Sequence, residues 1–216
     1  DTTGNTSNPG TVTVDYPQYL SIVAKPDVAV EGETTGVVFH IEQAAPSSQE
    51  EKVTFKLDLG ELEPEDIESI TLTNTDGTTA TYTVAEVLAG IEVKIPAGTA
   101  AADMPKVTVV PVDDDIYEVS EAFTGEISAP VNATLGTPTA DGSFVDEDDN
   151  NPDTPDDRKD GDKPVVAISA DPAVAVEGEP TGVVFHITQT GESELDTTVT
   201  FKLDLGELEP EDIESI

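Results

Sequence analysis

Along Val53-Thr-Phe-Lys-Leu-Asp-Leu59 every second side chain is apolar, so Val53, Phe55, Leu57 and Leu59 share one face and Thr54, Lys56 and Asp58 the other. Alternation with a period of two is the mark of a strand that buries one side. The same pattern places Val37, Phe39 and Ile41 opposite Val38 and His40, and Ile91, Val93 and Ile95 opposite Glu92 and Lys94. Phe123, Gly125 and Ile127 fall on one side, opposite Thr124 and Glu126. Further strands are predicted at Leu20–Ala24, Ile67–Thr73, Thr79–Val84, Lys106–Val112 and Gly142–Val145. Turn signals separate them at Glu31-Gly32, Gly60, Asp76-Gly77, Pro96-Ala97-Gly98 and Asp113–Asp115. Short helical turns fit Pro64–Asp66 and Ala85–Ala89, and no long amphipathic helix is present. Seven or more short strands at regular spacing predict an all-β fold, an antiparallel sandwich of immunoglobulin-like type.

The chain repeats itself. Lys25–Ile70 aligns without a gap on Asp171–Ile216 at an offset of 146 residues, and Val53–Ile70 is identical to Val199–Ile216. Such identity indicates tandem duplication. The expected organisation is an N-terminal linker at 1–18, a complete repeat at 19–149, an acidic linker at 150–163 and the front half of a second repeat at 164–216. Two front halves therefore flank one back half. The contiguous pairing is expected, because it carries little loop-closure cost. The other front half would present unpaired strand edges, open to exchange between molecules.

Composition sharpens this picture through charge. The chain holds 46 acidic and 9 basic residues, a net charge of −37. It repels nucleic acid, whose binding needs clustered Lys and Arg, and anionic membrane surfaces as well. No stretch has the apolar length of a membrane span, and the first residues show no signal-peptide pattern. Cations are the natural partners. The bland alternative is a general solubility or salt adaptation, with acids spread over the whole surface. With no Cys, disulfides, thiolate metal sites and Cys nucleophiles are excluded.

The acids are in fact gathered. Asp113, Asp114 and Asp115 are followed by Glu118 and Glu121, and ten acidic residues lie between Asp141 and Asp162. Glu31 and Glu33 bracket an early turn. These positions fall at strand ends and in the linker, where a sandwich collects its loops. Neighbouring carboxylates about 4 Å apart repel by roughly 1 kcal/mol in water and more when partly buried. A divalent cation removes that cost. Ca2+, which takes several oxygen ligands in flexible geometry, suits an acid-rich site poor in His and lacking Cys. The candidate ligands are Glu31, Asp113, Asp114, Asp115, Glu118, Asp146, Asp148, Asp149, Asp160 and Asp162, with Glu177 in the place of Glu31 in the second copy. The competing reading for each is a solvated loop, and it is preferred for Asp153–Asp157.

The segment PDVAVEGETTGVVFHI, followed by KVTFKL, resembles the opening of a Calx-β domain. VVPVDDDIYEVSEAFTGEIS resembles that family's acidic stretch before its penultimate strand, and GSFVDEDD its closing strand. The resemblance spans about Ile22–Asp149 and implies a calcium site from Glu31, Asp113, Asp114, Glu118, Asp146 and Asp148 at one end of the sandwich. The family's Asp-Gly-Thr-Ala…Gly-x-Asp-Tyr segment is matched only by Asp76-Gly77-Thr78-Thr79. Repetition, acidity and missing Cys also resemble the extender modules of RTX-type bacterial adhesins, which implies an extracellular location at the bacterial cell surface.

Catalysis is not expected. His40 and His186 hold equivalent places on the outward side of an apolar strand, where a surface residue is the plain reading. Consecutive Asp residues lack the separated, differently buried environments that glycoside hydrolysis needs. The expected function is a calcium-rigidified extender that carries an adhesive tip for attachment or biofilm formation. The alternatives are a module that binds sugar, protein or mineral directly, and a calcium sensor of Calx-β type.

Overall fold

The computed structural model describes residues 19–146, 163–209 and 213. Residues 19–146 carry strands β1 (Tyr19–Ala24), β2 (Val28–Val30), β3 (Val37–Gln43), β4 (Glu51–Asp58), β5 (Ile67–Thr73), β6 (Thr79–Tyr82), β7 (Ile91–Ile95), β8 (Lys106–Pro111), β9 (Ile116–Tyr117), β10 (Glu121–Val131), β11 (Thr134–Leu135) and β12 (Thr139–Val145). They form a six-stranded sheet of order β11-β1-β3-β8-β5-β6 and a five-stranded sheet of order β2-β12-β10-β4-β7. The protein is an all-β sandwich, the class that the alternation of apolar and polar residues predicts. Its inner pairings are antiparallel, but two edges are parallel: β1 with β11 and β2 with β12. The 2- or 3-residue strands β2, β9 and β11 are too short to leave a period in the sequence.

Each strand places its apolar set in the gap between the sheets. Phe39 of β3 meets Phe55 of β4 at 5.7 Å between ring centroids and Phe123 of β10 at 5.9 Å. Phe123 in turn meets Phe144 of β12 edge-on at 4.8 Å. Leu20, Ile22, Ile41, Ile70, Val93, Val107 and Ile127 are sealed around them. Gly125 is glycine because a Cβ there would lie 2.7 Å from two carbons of the Phe39 ring.

β1 begins beside the end of β3, with Leu20 opposite Gln43, and runs toward Ala24 opposite Phe39. The chain then crosses to the other sheet, where β2 travels parallel to β12 with Val30 beside Val145. Tyr19 and Asp146 thus lie at opposite ends of the sandwich. The turn expected near Ala85 is a helix, α1 (Val84–Ala89), opened by a mutual Thr83–Glu86 cap.

A buried acid interrupts the core at the end where β1 begins. Glu51 is fully buried and accepts a 2.6 Å hydrogen bond from Gln43 Nε2, while Glu51 Oε1 and Gln43 Oε1 have no hydrogen-bond partner. Burial raises the carboxyl's pKa, only partly offset by hydrogen bonds from Gln43 and Ser47.

The second copy keeps the local geometry of the first. Strands β13 (Val165–Ala170) and β14 (Phe185–Thr190) pair antiparallel, as β1 and β3 do. Phe185 and Phe201 stand 5.4 Å apart, like Phe39 and Phe55. His40 Nε2 lies 3.0 Å from the Lys25 carbonyl oxygen, and His186 Nε2 lies 3.1 Å from that of Asp171. Each histidine thus ties its strand to the turn before it. Burial is what differs: Phe185, Ile187 and Phe201 are exposed, whereas Phe39, Ile41 and Phe55 are sealed.

Gly125→Ala is expected to destabilise the sandwich by about 1–3 kcal/mol through overpacking against Phe39. A lower urea midpoint at unchanged slope would show it. Glu51→Gln should stabilise the protein at pH 8, because a neutral amide supplies the donor that the unpartnered oxygens lack. With its folded pKa raised, Glu51 weakens the fold as pH climbs above its ordinary value, so the gain should shrink toward pH 5. An equal gain at both pH values would contradict this.

Candidate metal centre

Four carboxylates are buried at the end of the sandwich where β12 stops. Val30 and Val145 are neighbours in register, and Glu31 N–H donates to the Val145 carbonyl at 3.0 Å, which sets Glu31 and Asp146 at adjacent strand ends. Asp146 Oδ2 accepts from Glu118 N–H at 3.3 Å. Glu121 opens β10 opposite Phe144 of β12. Of these, Glu118, Glu121 and Asp146 are buried with Glu31.

The loop after β8 brings the next group. Gly32 adopts a positive φ of 67°, and a Cβ on it would stand 3.1 Å from Asp113 Oδ1, so the glycine lets Asp113 close on the Glu31 turn. Asp114 Oδ1 caps its own turn by accepting from Ile116 N–H at 2.8 Å. Asp113 and Asp115 are exposed and Asp114 is half-buried. From the other side, the 3₁₀ turn Pro64–Asp66 presents Asp66, whose carbonyl accepts from Val112 N–H at 2.8 Å and whose carboxylate lies beside that of Glu121.

Electrostatics records the crowding. Burial, then the charges of Asp66, Glu194, Asp114 and Asp146, pushes Glu118 up to about 7. Burial, then Asp66, Glu118 and Glu194, pushes Glu121 up to about 8. Asp66 is also raised, chiefly by desolvation. Glu121 Oε2 is buried with no hydrogen-bond partner. By contrast, Lys52 and Lys94 pair with Glu50 and Glu92 on the outer face of β4 and β7.

The structure therefore gathers Glu31, Asp113, Asp114, Glu118 and Asp146 at one end, with Asp115 exposed on the same loop. Glu177 lies on the equivalent turn of the second copy, exposed, and is not brought to this cluster. Asp148, Asp149, Asp160 and Asp162 lie outside the described residues. Two contributors lay outside the sequence-based set. Asp66 reads in sequence as an acid at a helix start. Glu121 was visible, being in phase with Phe123 and Ile127 on the buried side of β10.

The donor set is all oxygen, fitting a hard cation rather than zinc or copper. Among the described residues no three His, Asp or Glu side chains stand as a ready-made coordination set. Like-charged carboxylates this close repel one another without a counter-ion.

No family model matches the chain, and no curated protein matches it. Among solved structures it is similar to CBD12 from CALX1.2, at 16% identity and a TM-score of 0.40, covering 59% of this chain and 44% of that one. It is similar to the apo-form Calx CBD1 domain at 16% identity and a TM-score of 0.39, covering 60% of this chain and 99% of that one. The calcium binding domain CBD12 of CALX1.1 gives 14% identity and a TM-score of 0.40, covering 59% and 46%. The chain thus spans under half the length of the two CBD12 structures.

Proposed function

We propose that the protein is a calcium-stabilised sandwich module, repeated in tandem as an extender of a large bacterial surface adhesin, and that it has no catalytic activity. The observation that supports calcium is the burial of Glu118, Glu121 and Asp146 in one place, beside Glu31 and Asp66. Burying several carboxylates together is costly unless a cation compensates them. Glu31, Asp113, Asp114, Glu118 and Asp146 would hold the ion, which would supply charge compensation and rigidity. Extension is supported by the 146-residue repeat and by a unit whose ends lie at opposite poles. Identical copies add length more readily than new specificity. The adhesin setting and the extracellular location are supported by the sequence resemblance.

Partners follow from the second copy. Its exposed Phe185, Ile187 and Phe201 match residues that the first copy covers with its own back half. A back half of the same kind, from the same array or by exchange from another molecule, is the cover that fits.

At extracellular affinities a hundredfold excess of Ca2+ adds about 2.7 kcal/mol per site. Melting should therefore rise by roughly 5–10 °C between chelator and saturating calcium. Identical melting temperatures would refute the calcium reading. Without calcium, Glu118 and Glu121 are protonated in the fold up to about 7 and about 8, but unfolded they ionise near 4.5. Stability should then fall as pH rises from about 4.5 through 8. Calcium binds the ionised form, so its stabilisation should be greatest at pH 8.5 and least at pH 5.5. Melts at both pH values, with and without calcium, measure this.

A further inference from the structure

Strand β9 owes its pairing to the next copy. Strand β15 (Glu192–Ser193) runs parallel to it, Glu192 beside Ile116 and Ser193 beside Tyr117. Among the described residues β9 belongs to no other sheet. Glu194 N–H lengthens the ladder by donating to the Tyr117 carbonyl at 3.3 Å. Where the second copy begins, the Lys163 ammonium stands 5.9 Å from the centre of the Tyr117 ring, within the range of a cation–π contact. Tyr117 thus meets the second copy twice, by backbone and by ring.

Both contacts come from residues that the first copy lacks. At the repeat offset of 146, Lys163 stands in the place of Pro17. Ala44–Lys52 and Thr190–Thr198 share only a serine, Ser47 and Ser193, although the strands on either side are nearly identical. That serine turns the chain in the same way in each, accepting from Gln49 N–H at 3.2 Å and from Leu195 N–H at 3.0 Å. The loop keeps its turn and changes its surface. Pro46 occupies the place at which Glu192 joins β9, and a proline has no N–H to offer a strand.

The contact also has the polarity that a head-to-tail array requires. The loop leaves its sheet at the pole where a copy begins, since Gln43 pairs with Leu20. Strand β9 lies at the pole where a copy ends, beside Glu118, whose N–H donates to Asp146. In the first copy the back half holds the loop through other atoms: Gly98 N–H donates to the Ser47 carbonyl and Asn132 Nδ2 to the Glu50 carbonyl, each at 2.8 Å. The N–H of Ser48, which corresponds to Glu194, takes no part in those bonds. Closing inward and docking outward therefore do not compete.

We propose that the loop Gly191–Asp196 is the docking element of its module, adding a strand to β9 of the module before it, and that its sequence sets whether that junction is latched or loose. The mode is strand addition to an exposed edge, in which main-chain bonds supply the affinity. A module carrying the loop of the first copy, Ala45–Glu50, would sit loosely on its neighbour. Charge works against the latch, because the Glu194 carboxylate approaches those of Asp66, Glu63 and Asp114. The backbone carries it. The latch needs no metal ion, so it stands or falls apart from the calcium reading.

Amide hydrogen exchange of the whole chain in chelator, resolved by NMR, tests this. Glu194→Pro removes the N–H that bonds Tyr117 and should speed exchange at Tyr117 about tenfold or more. Glu194→Gln removes the charge but keeps the N–H, and should leave that exchange at the wild-type rate or slow it. Grafting the sequence of Ala45–Glu50 in place of Gly191–Asp196 should act as the proline does. The grafted loop is native between these flanks, so it probes the junction even where the proline disturbs the second copy. Wild-type exchange in Glu194→Pro, or equal acceleration by Glu194→Gln, would overturn the backbone latch. Wild-type exchange in the grafted chain would overturn its dependence on loop sequence.

Discussion

Everything in this molecule is hung on four phenylalanine rings that cross between two sheets. Phe39 reaches from one sheet to Phe55 and Phe123 on the other, and Phe144 extends the row to the strand that ends at Asp146. Contacts of this kind fix sheet spacing and strand phase together, since a slip of one residue would turn each ring to solvent. With the strands fixed, their ends are fixed. Glu31, Glu118, Glu121 and Asp146 sit where they do because apolar neighbours one or two residues away cannot be elsewhere.

Hydrophobic packing therefore enforces an electrostatic conflict. Unfolded, these carboxylates would be apart and hydrated; folded, they are crowded and partly dry, and Glu118 and Glu121 hold their protons far above the usual range. Two remedies exist for such a conflict, a proton or a metal ion. At neutral pH the proton still serves Glu121 and half serves Glu118, and it fails both as the medium turns alkaline. The stability of such a module depends on pH at one pole, whereas its apolar core carries no such dependence.

The fold was largely legible, because alternation reports directly which side chains face inward. Edges were not: β2, β9 and β11 are too short for any period, and their parallel pairing depends on where the crossing segments land. Among the acids, a sequence reading favours clusters, and Asp113–Asp115 drew attention because they are consecutive. Yet Asp113 and Asp115 are exposed, whereas Glu121, pushed up to about 8, stands on a strand apart from any run of acids. Phase was the better signal. Glu121 keeps step with Phe123, and Glu51 with Val53 and Phe55, so an acid on the apolar beat of a strand marks burial. Asp66 and Glu194 were out of reach in sequence, because each arrives through tertiary contact from a distant turn.

The opposite placement of Tyr19 and Asp146 has a mechanical side. Tension applied along an array would enter at the start of β1 and leave at the end of β12, parallel to the strands. The ladders of β1 with β3 and of β12 with β10 would then be loaded in shear, their hydrogen bonds sharing the force together rather than parting one by one. A unit strung this way would resist rupture along its own axis, because no single hydrogen bond of either ladder would carry the load alone.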